Sequence, residues 1–162
     1  MAQDGKKWIV YYSLSGDTRE IARQIQASTG ADITELELVE AYPTDSGAMS
    51  ARVKRELAGA RPALKALTGT VDPYAVLFVG SPNWGGTIAP ALAAFLSQQD
   101  LSGKMVAPFM AHGGGGLGRS VADIQSLCPN ATVLEGLAIR GKQAGSAGED
   151  IAQWLKRLGM VA

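Results

Sequence analysis

The chain has a single cysteine, Cys128, a single histidine, His112, and no surplus of either charge. A lone thiol cannot close an internal disulfide, and nothing around Cys128 has metal-ligand spacing. It reads as a buried structural thiol, with no cation next to it in sequence to activate it. Fifteen Lys and Arg residues cancel fifteen Asp and Glu residues. No field of one sign is left to draw in nucleic acid or an anionic membrane. No apolar run approaches the ~20 residues of a membrane span. The polar start, 1–7, and the short apolar stretch after it do not make a signal peptide. These absences predict a cytoplasmic protein with no metal, no nucleic-acid partner and no membrane partner.

What is present is an ordinary globular balance, 46% apolar and 19% charged over 162 residues. That length suits one domain spanning 1–162, with a core that needs no staples. Glycine is the unusual component, at 20 residues, because it is clustered.

Trp8 to Tyr12 is β-branched and aromatic and reads as a buried strand, followed by a helix from Thr18 with Ile21, Ala22 and Ile25 on one face. A second strand is expected over 33–39. A helix follows over 48–60, with Met49, Val53 and Leu57 as its apolar side. Tyr74 to Val79 is the clearest buried strand, and Pro90 fits the first turn of the helix after it. A fourth strand, 105–111, carries Pro108 against the rule that keeps proline out of central strands. A helix over 118–127, a strand over 132–139 and a last helix with Ile151, Trp154, Leu155 and Leu158 complete the pattern. Trp8 and Trp154 fall in these patterns as core residues. Five strands alternating with helices predict an α/β domain: a doubly wound five-stranded parallel sheet with helices on both faces. Ligands of such sheets sit at the carboxyl ends of the strands, where three loops stand out: 13–18, 81–87 and 112–118.

The first loop, Ser13-Leu14-Ser15-Gly16-Asp17-Thr18, places three hydroxyls and a glycine between a strand and a helix N-terminus. That arrangement suits a phosphate, although Ser15 or Asp17 acting only as a helix cap would use the same residues. No lysine is present at the motif, which excludes a Walker-type nucleotide site. Gly113-x-Gly115-x-x-Gly118 matches a dinucleotide fingerprint. However, the expected acid is missing from the end of the next strand, since Glu135 falls within it, so the match reads as glycine density.

Ser-x-Ser-Gly-Asp-Thr resembles the flavodoxin phosphate loop. The likeness continues through Gly80-Ser81-Pro82-Asn83-Trp84-Gly85-Gly86-Thr87, Leu101-Ser102-Gly103-Lys104, Ala111-His112-Gly113-Gly114 and Leu134-Glu135-Gly136-Leu137. It covers most of 8–159 and resembles a branch whose third loop carries His-Gly-Gly. It implies the flavodoxin strand order 2-1-3-4-5 and FMN as cofactor. By the same resemblance, Ser13, Leu14, Ser15, Gly16, Asp17 and Thr18 surround the ribityl phosphate. Pro82, Asn83, Trp84, Gly85 and Gly86 pack along the ring, with amide groups near N5. His112, Gly113, Gly114 and Gly115 approach its other end and favour negative charge on the reduced ring.

Two readings stay open at this point. Trp84 is either a surface for the flavin or a core tryptophan, and His112 is either a redox-linked proton group or a residue that only packs. Asp17 stands where the family commonly has asparagine, and the third loop lacks the aromatic that often covers the second flavin face. The resemblance implies an electron carrier for redox-partner proteins, a monomer or weak homodimer with no catalytic residue. The alternative is an FMN-dependent NAD(P)H oxidoreductase acting on quinones or similar acceptors. Flavodoxins are typically acidic; in this neutral chain Glu35, Glu37, Glu40 and Asp45 are the candidate acidic rim. A response-regulator receiver is disfavoured, because Ser13 and Gly80-Ser81-Pro82 stand where it needs aspartates.

Overall fold

The computed structural model describes residues 5–161. Seven strands form one sheet: β1 (Lys6–Tyr11), β2 (Asp32–Glu35), β3 (Tyr74–Trp84), β4 (Thr87–Ile88), β5 (Met105–His112), β6 (Thr132–Val133) and β7 (Leu137–Arg140). The helices are α1 (Asp17–Thr29), α2 (Ser46–Leu57), α3 (Pro90–Gln98), α4 (Ser120–Leu127) and α5 (Gly148–Arg157). A 3₁₀ segment, Gly141–Ser146, precedes α5.

The order is β2-β1-β3-β5, with β6 and β7 end to end along the free edge of β5. Every pairing is parallel except the short β3–β4 one. The expected fifth strand is therefore present but split, and the expected order 2-1-3-4-5 holds once its two pieces are joined. Val106 pairs with Val133 and Phe109 with Leu137, so the outer piece carries one extra residue, a bulge.

The split accounts for Pro108. The Val106 carbonyl accepts from Leu134 N–H, so residue 106 faces the outer edge. By strand alternation residue 108 faces the same way, into the gap between β6 and β7. The missing proline N–H therefore falls where the ladder is already interrupted.

Two apolar layers clamp the sheet. Ile9, Ile21, Ile25, Phe78, Phe109, Ile151 and Trp154 fill the side of α1 and α5. Trp8, Val10, Leu77, Val79, Leu92, Phe95 and Ile124 fill the side of α3 and α4. Both Trp8 and Trp154 are core residues, and Cys128 is buried, with burial pushing its thiol pKa up. Gly80 lies opposite Phe109 in register, and a Cβ there would overlap the Phe109 ring.

One helix differs from its pattern. On α2 the residue turned inward is Glu56, which is buried, while Leu57 is exposed. The Glu56 carboxylate accepts from Tyr42 Oη at 2.6 Å and from Arg52 Nε at 3.1 Å. Arg52 also donates to the carbonyls of Glu40 and Ala41 and lies over the Tyr42 ring. An ion pair with an aromatic lid thus fills the space that the Met49–Val53–Leu57 spacing reserves for apolar side chains. No helix among the described residues is long and apolar enough to cross a membrane.

Candidate functional site

The parallel strands bring four loops to one edge, around a cleft of about 360 Å3. It is lined by Ser15 and Asp17 from the first loop, Pro82, Asn83 and Trp84 from the second, His112 and Gly113 from the third, and Arg140, Gly141 and Lys142 from a fourth. A smaller groove of about 240 Å3 between α2, α3 and α4 lies away from the phosphate-type loop.

In the first loop, Gly16 takes a left-handed conformation, φ 102°, as the residue before α1. Neither Ser15 nor Asp17 caps the helix. The Ser13 hydroxyl does so, accepting from Gly16 N–H at 3.1 Å and from Arg19 N–H at 3.3 Å. Asp17 is already the first helical residue. The N–H groups of Asp17 and Thr18 have no intrahelical acceptor, as at any helix start. The hydroxyls of Ser15 and Thr18 make no side-chain hydrogen bond among the described residues. Ser15 lines the cleft while Thr18 is buried behind it, and the Ser15 hydroxyl with the helix N–H groups forms a donor set that suits a phosphate. The Asp17 carboxylate lies so close to Gly141 that a Cβ there would overlap it. Leu14 sits on this loop with half its surface exposed.

An electrostatic anchor lies beneath this loop. Glu35, which ends β2, accepts from Arg19 Nε and Nη2, both at 2.7 Å, and from Tyr11 Oη at 2.9 Å. The Arg19 guanidinium holds the Glu35 carboxyl below the usual carboxylate value of 4.5. Burial, followed by the Glu35 carboxylate, pushes Tyr11 up to about 12. A carboxylate with a depressed pKa stabilises the fold above its unfolded value and loses that contribution as pH falls through the folded one. Urea midpoints should therefore fall as pH drops below about 4.5, and Glu35→Gln should show a shallower acid dependence. An unchanged dependence in that variant would remove Glu35 as the source. This engagement also takes Glu35 out of the expected acidic rim. Glu37, Glu40 and Asp45 remain exposed, with Asp45 capping α2 through Ala48 N–H.

The second loop is not the open glycine-rich stretch expected over 81–87. β3 runs on to Trp84 and folds back through Gly85 and Gly86, both at positive φ (65° and 84°), into β4. Two consecutive positive φ values form the two-residue turn that matches strand twist. Buried Ser81 fastens the return, its hydroxyl accepting from Ala89 N–H at 2.9 Å. The Asn83 side chain is committed to protein: Oδ1 accepts from Gly86 N–H at 3.0 Å, and Nδ2 donates to the Gly116 carbonyl at 2.8 Å. Trp84 lines the cleft and packs on Tyr12 and Tyr42, with ring centroids 5.8 and 5.4 Å away. One side of Trp84 therefore joins the core while another meets the cleft.

The third loop is tied to the second. Arg119 N–H donates to the Gly86 carbonyl at 2.6 Å, and Gly118, at φ 54°, lies so close that a Cβ would overlap that carbonyl. This contact requires glycine at 118, the last position of the dinucleotide-like spacing. Gly114 N–H donates to His112 Nδ1 at 3.0 Å, leaving Nε2 to carry the proton of the neutral ring. Burial, followed by Arg140, holds the imidazole below its usual 6.5. Gly115 lies against the Asn83 amide.

Sequence reasoning missed the fourth loop. Arg140 ends β7 and Gly141 and Lys142 follow it directly, and the rule placing ligands at strand carboxyl ends would have marked them. Tyr12 and Tyr42, beneath Trp84, were missed as well.

Residues 6–158 match the family model described as flavodoxin. Solved structures similar to the chain include a candidate flavoprotein from Bacteroides uniformis, 24% identical with a TM-score of 0.82, covering 95% of this chain and 99% of that one. Another, from Bacteroides eggerthii, is 25% identical with a TM-score of 0.76, covering 92% and 99%. A Lactobacillus acidophilus flavoprotein in complex with FMN is 21% identical with a TM-score of 0.72, covering 88% and 98%. No curated protein matches the chain.

Proposed function

The chain belongs to the flavodoxin family, and on that premise we propose that it carries electrons between redox-partner proteins on one non-covalently held FMN. The observation that supports this most is the convergence of a helix-start phosphate loop, an aromatic-bearing hairpin and a glycine run on one cleft. When bound, the flavin supplies the electron chemistry.

The protein's part is binding, orientation and electrostatics. Ser15 and the N–H groups opening α1 hold the phosphate, while Ser13 keeps the loop in shape from behind. Trp84 offers its indole to the ring. Asn83 fastens the second and third loops to each other, so its role is positioning. No nucleophile or acid–base pair is required of the protein.

Asp17 lines the phosphate side of the cleft as a carboxylate, which repels a dianion. Asp17→Asn should bind FMN equally well or up to about tenfold more tightly, read as a dissociation constant from flavin fluorescence. A large loss of affinity would show that the carboxylate is needed in place, against Gly141.

One feature favours a second reading, an FMN-dependent NAD(P)H oxidoreductase acting on quinones. The third loop is glycine throughout 113–116, so no large aromatic covers that side of the cleft and a substrate has room to approach. The test is reduction of the FMN-loaded protein by NAD(P)H: turnover with a quinone acceptor selects the oxidoreductase, and reduction only through a partner reductase selects the carrier.

A further inference from the structure

The wall between the third and fourth loops holds a charge that the functional reading above leaves unused. Arg140 ends β7 in register with His112 at the end of β5. A Cβ on Gly114 would lie 3.9 Å from Arg140 Nη1, which places the guanidinium beside the glycine run. Arg19, Arg52, Arg119 and Arg157 each pair with a carboxylate. Arg140 lines the cleft with no side-chain hydrogen bond or ion pair among the described residues, and the same is true of Lys142. A cation on a cleft wall without a counter-ion is available to whatever occupies the cleft. Burial and Arg140 both disfavour a second cation at His112, whose Nδ1 is an acceptor.

We infer that Arg140 stabilises the negative charge that the flavin ring acquires on full reduction, which makes the two-electron-reduced state easier to reach in this chain. The inference rests on the FMN reading. Two electrons and one proton convert the neutral oxidised ring into one bearing a single negative charge shared between N1 and the C2 carbonyl oxygen. A fixed cation beside the cleft attracts that charge and leaves the neutral oxidised ring nearly unaffected. Asp17, whose carboxylate lies against Gly141, the residue after Arg140, and the phosphate are the negative charges it works against. Because Arg140 is exposed, the effect is moderate and weakens with salt.

The test uses full-length FMN-loaded protein, its Arg140→Gln and Arg140→Lys variants, dithionite as electron donor and solvent as proton source. The potential of each one-electron step is read against a reference dye, and the affinities of oxidised FMN and riboflavin are read by flavin fluorescence. In Arg140→Gln, fully reduced FMN should bind about tenfold more weakly relative to the preceding redox state. That lowers the second potential by about 59 mV. Affinities for oxidised FMN and riboflavin should change by less than about threefold, and Arg140→Lys should keep most of the wild-type potential. An unchanged second potential in Arg140→Gln overturns the inference. So does a loss of FMN affinity with riboflavin unaffected, which assigns Arg140 to the phosphate. Failure of the wild-type chain to bind FMN at all would instead overturn the FMN reading itself, and the inference with it.

Discussion

Replacing Gly118 by alanine should weaken FMN binding by about 100-fold while leaving the sheet folded. The residue stands at φ 54°, where an L side chain costs roughly 1–2 kcal/mol. Its new methyl group would also occupy the position of the Gly86 carbonyl oxygen. That oxygen belongs to backbone, in a turn fixed by Asn83, so it cannot swing aside like a flexible side chain. The strain is relieved only by separating the third loop from the second, which breaks the Arg119–Gly86 hydrogen bond and shifts both cleft walls. Misplacement by about 1 Å is enough for a loss of that size. Far-ultraviolet circular dichroism should be unchanged, because no core residue is touched. Wild-type affinity in Gly118→Ala would show that the tie between the loops does not shape the site.

Glu56→Ala should destabilise the protein by about 3 kcal/mol, measured as a shift of the urea unfolding midpoint. The carboxylate is buried and satisfies both Tyr42 and Arg52. Its removal leaves the Arg52 charge, 14% exposed, without a counter-ion, although two backbone carbonyls still receive its guanidinium. The Tyr42 hydroxyl loses its acceptor too, and this tyrosine is one of the rings on which Trp84 rests. The loss should therefore reach the cleft as weaker flavin binding. Glu56→Gln, which keeps an acceptor for Tyr42, should recover part of the stability. A change below about 0.5 kcal/mol in Glu56→Ala would mean that the pair adds nothing to the packing of α2.

Most of the architecture was legible because buried parallel strands are continuous apolar runs, and 8–12, 74–79 and 105–111 read as such. Alternation with helices then leaves few topologies. The misreadings have local causes. The fifth strand reads as one element over 132–139 because a single bulge leaves its overall length unchanged, although Glu135-Gly136 within it and Pro108 across from it are visible signs of an interrupted ladder. The hairpin at Gly85–Gly86 looks like a loop in sequence because β4 is only two residues long. On α2, a buried Glu–Arg pair cannot be told from a solvated face by spacing alone, so Leu57 was turned inward and Glu56 outward.

At the candidate site, loops one to three stand out in sequence by hydroxyl and glycine density at strand ends, and Ser15, Asp17, Pro82, Asn83, Trp84, His112 and Gly113 from them line one cleft. Their partners within the protein were not legible. Asn83 reads as an amide free for the ring, yet both ends of it are engaged by backbone. Arg140 and Lys142 look like ordinary surface cations in sequence, and only the position of β7 beside β5 brings them to the cleft.

The most direct measurement is the visible absorption spectrum of the purified chain after loading with FMN and desalting, followed by anaerobic stepwise reduction. Flavin bands that survive desalting, and that bleach in two resolved one-electron steps, are the predicted result for an electron carrier. A desalted protein without flavin bands would contradict the assignment of the cleft as an FMN site.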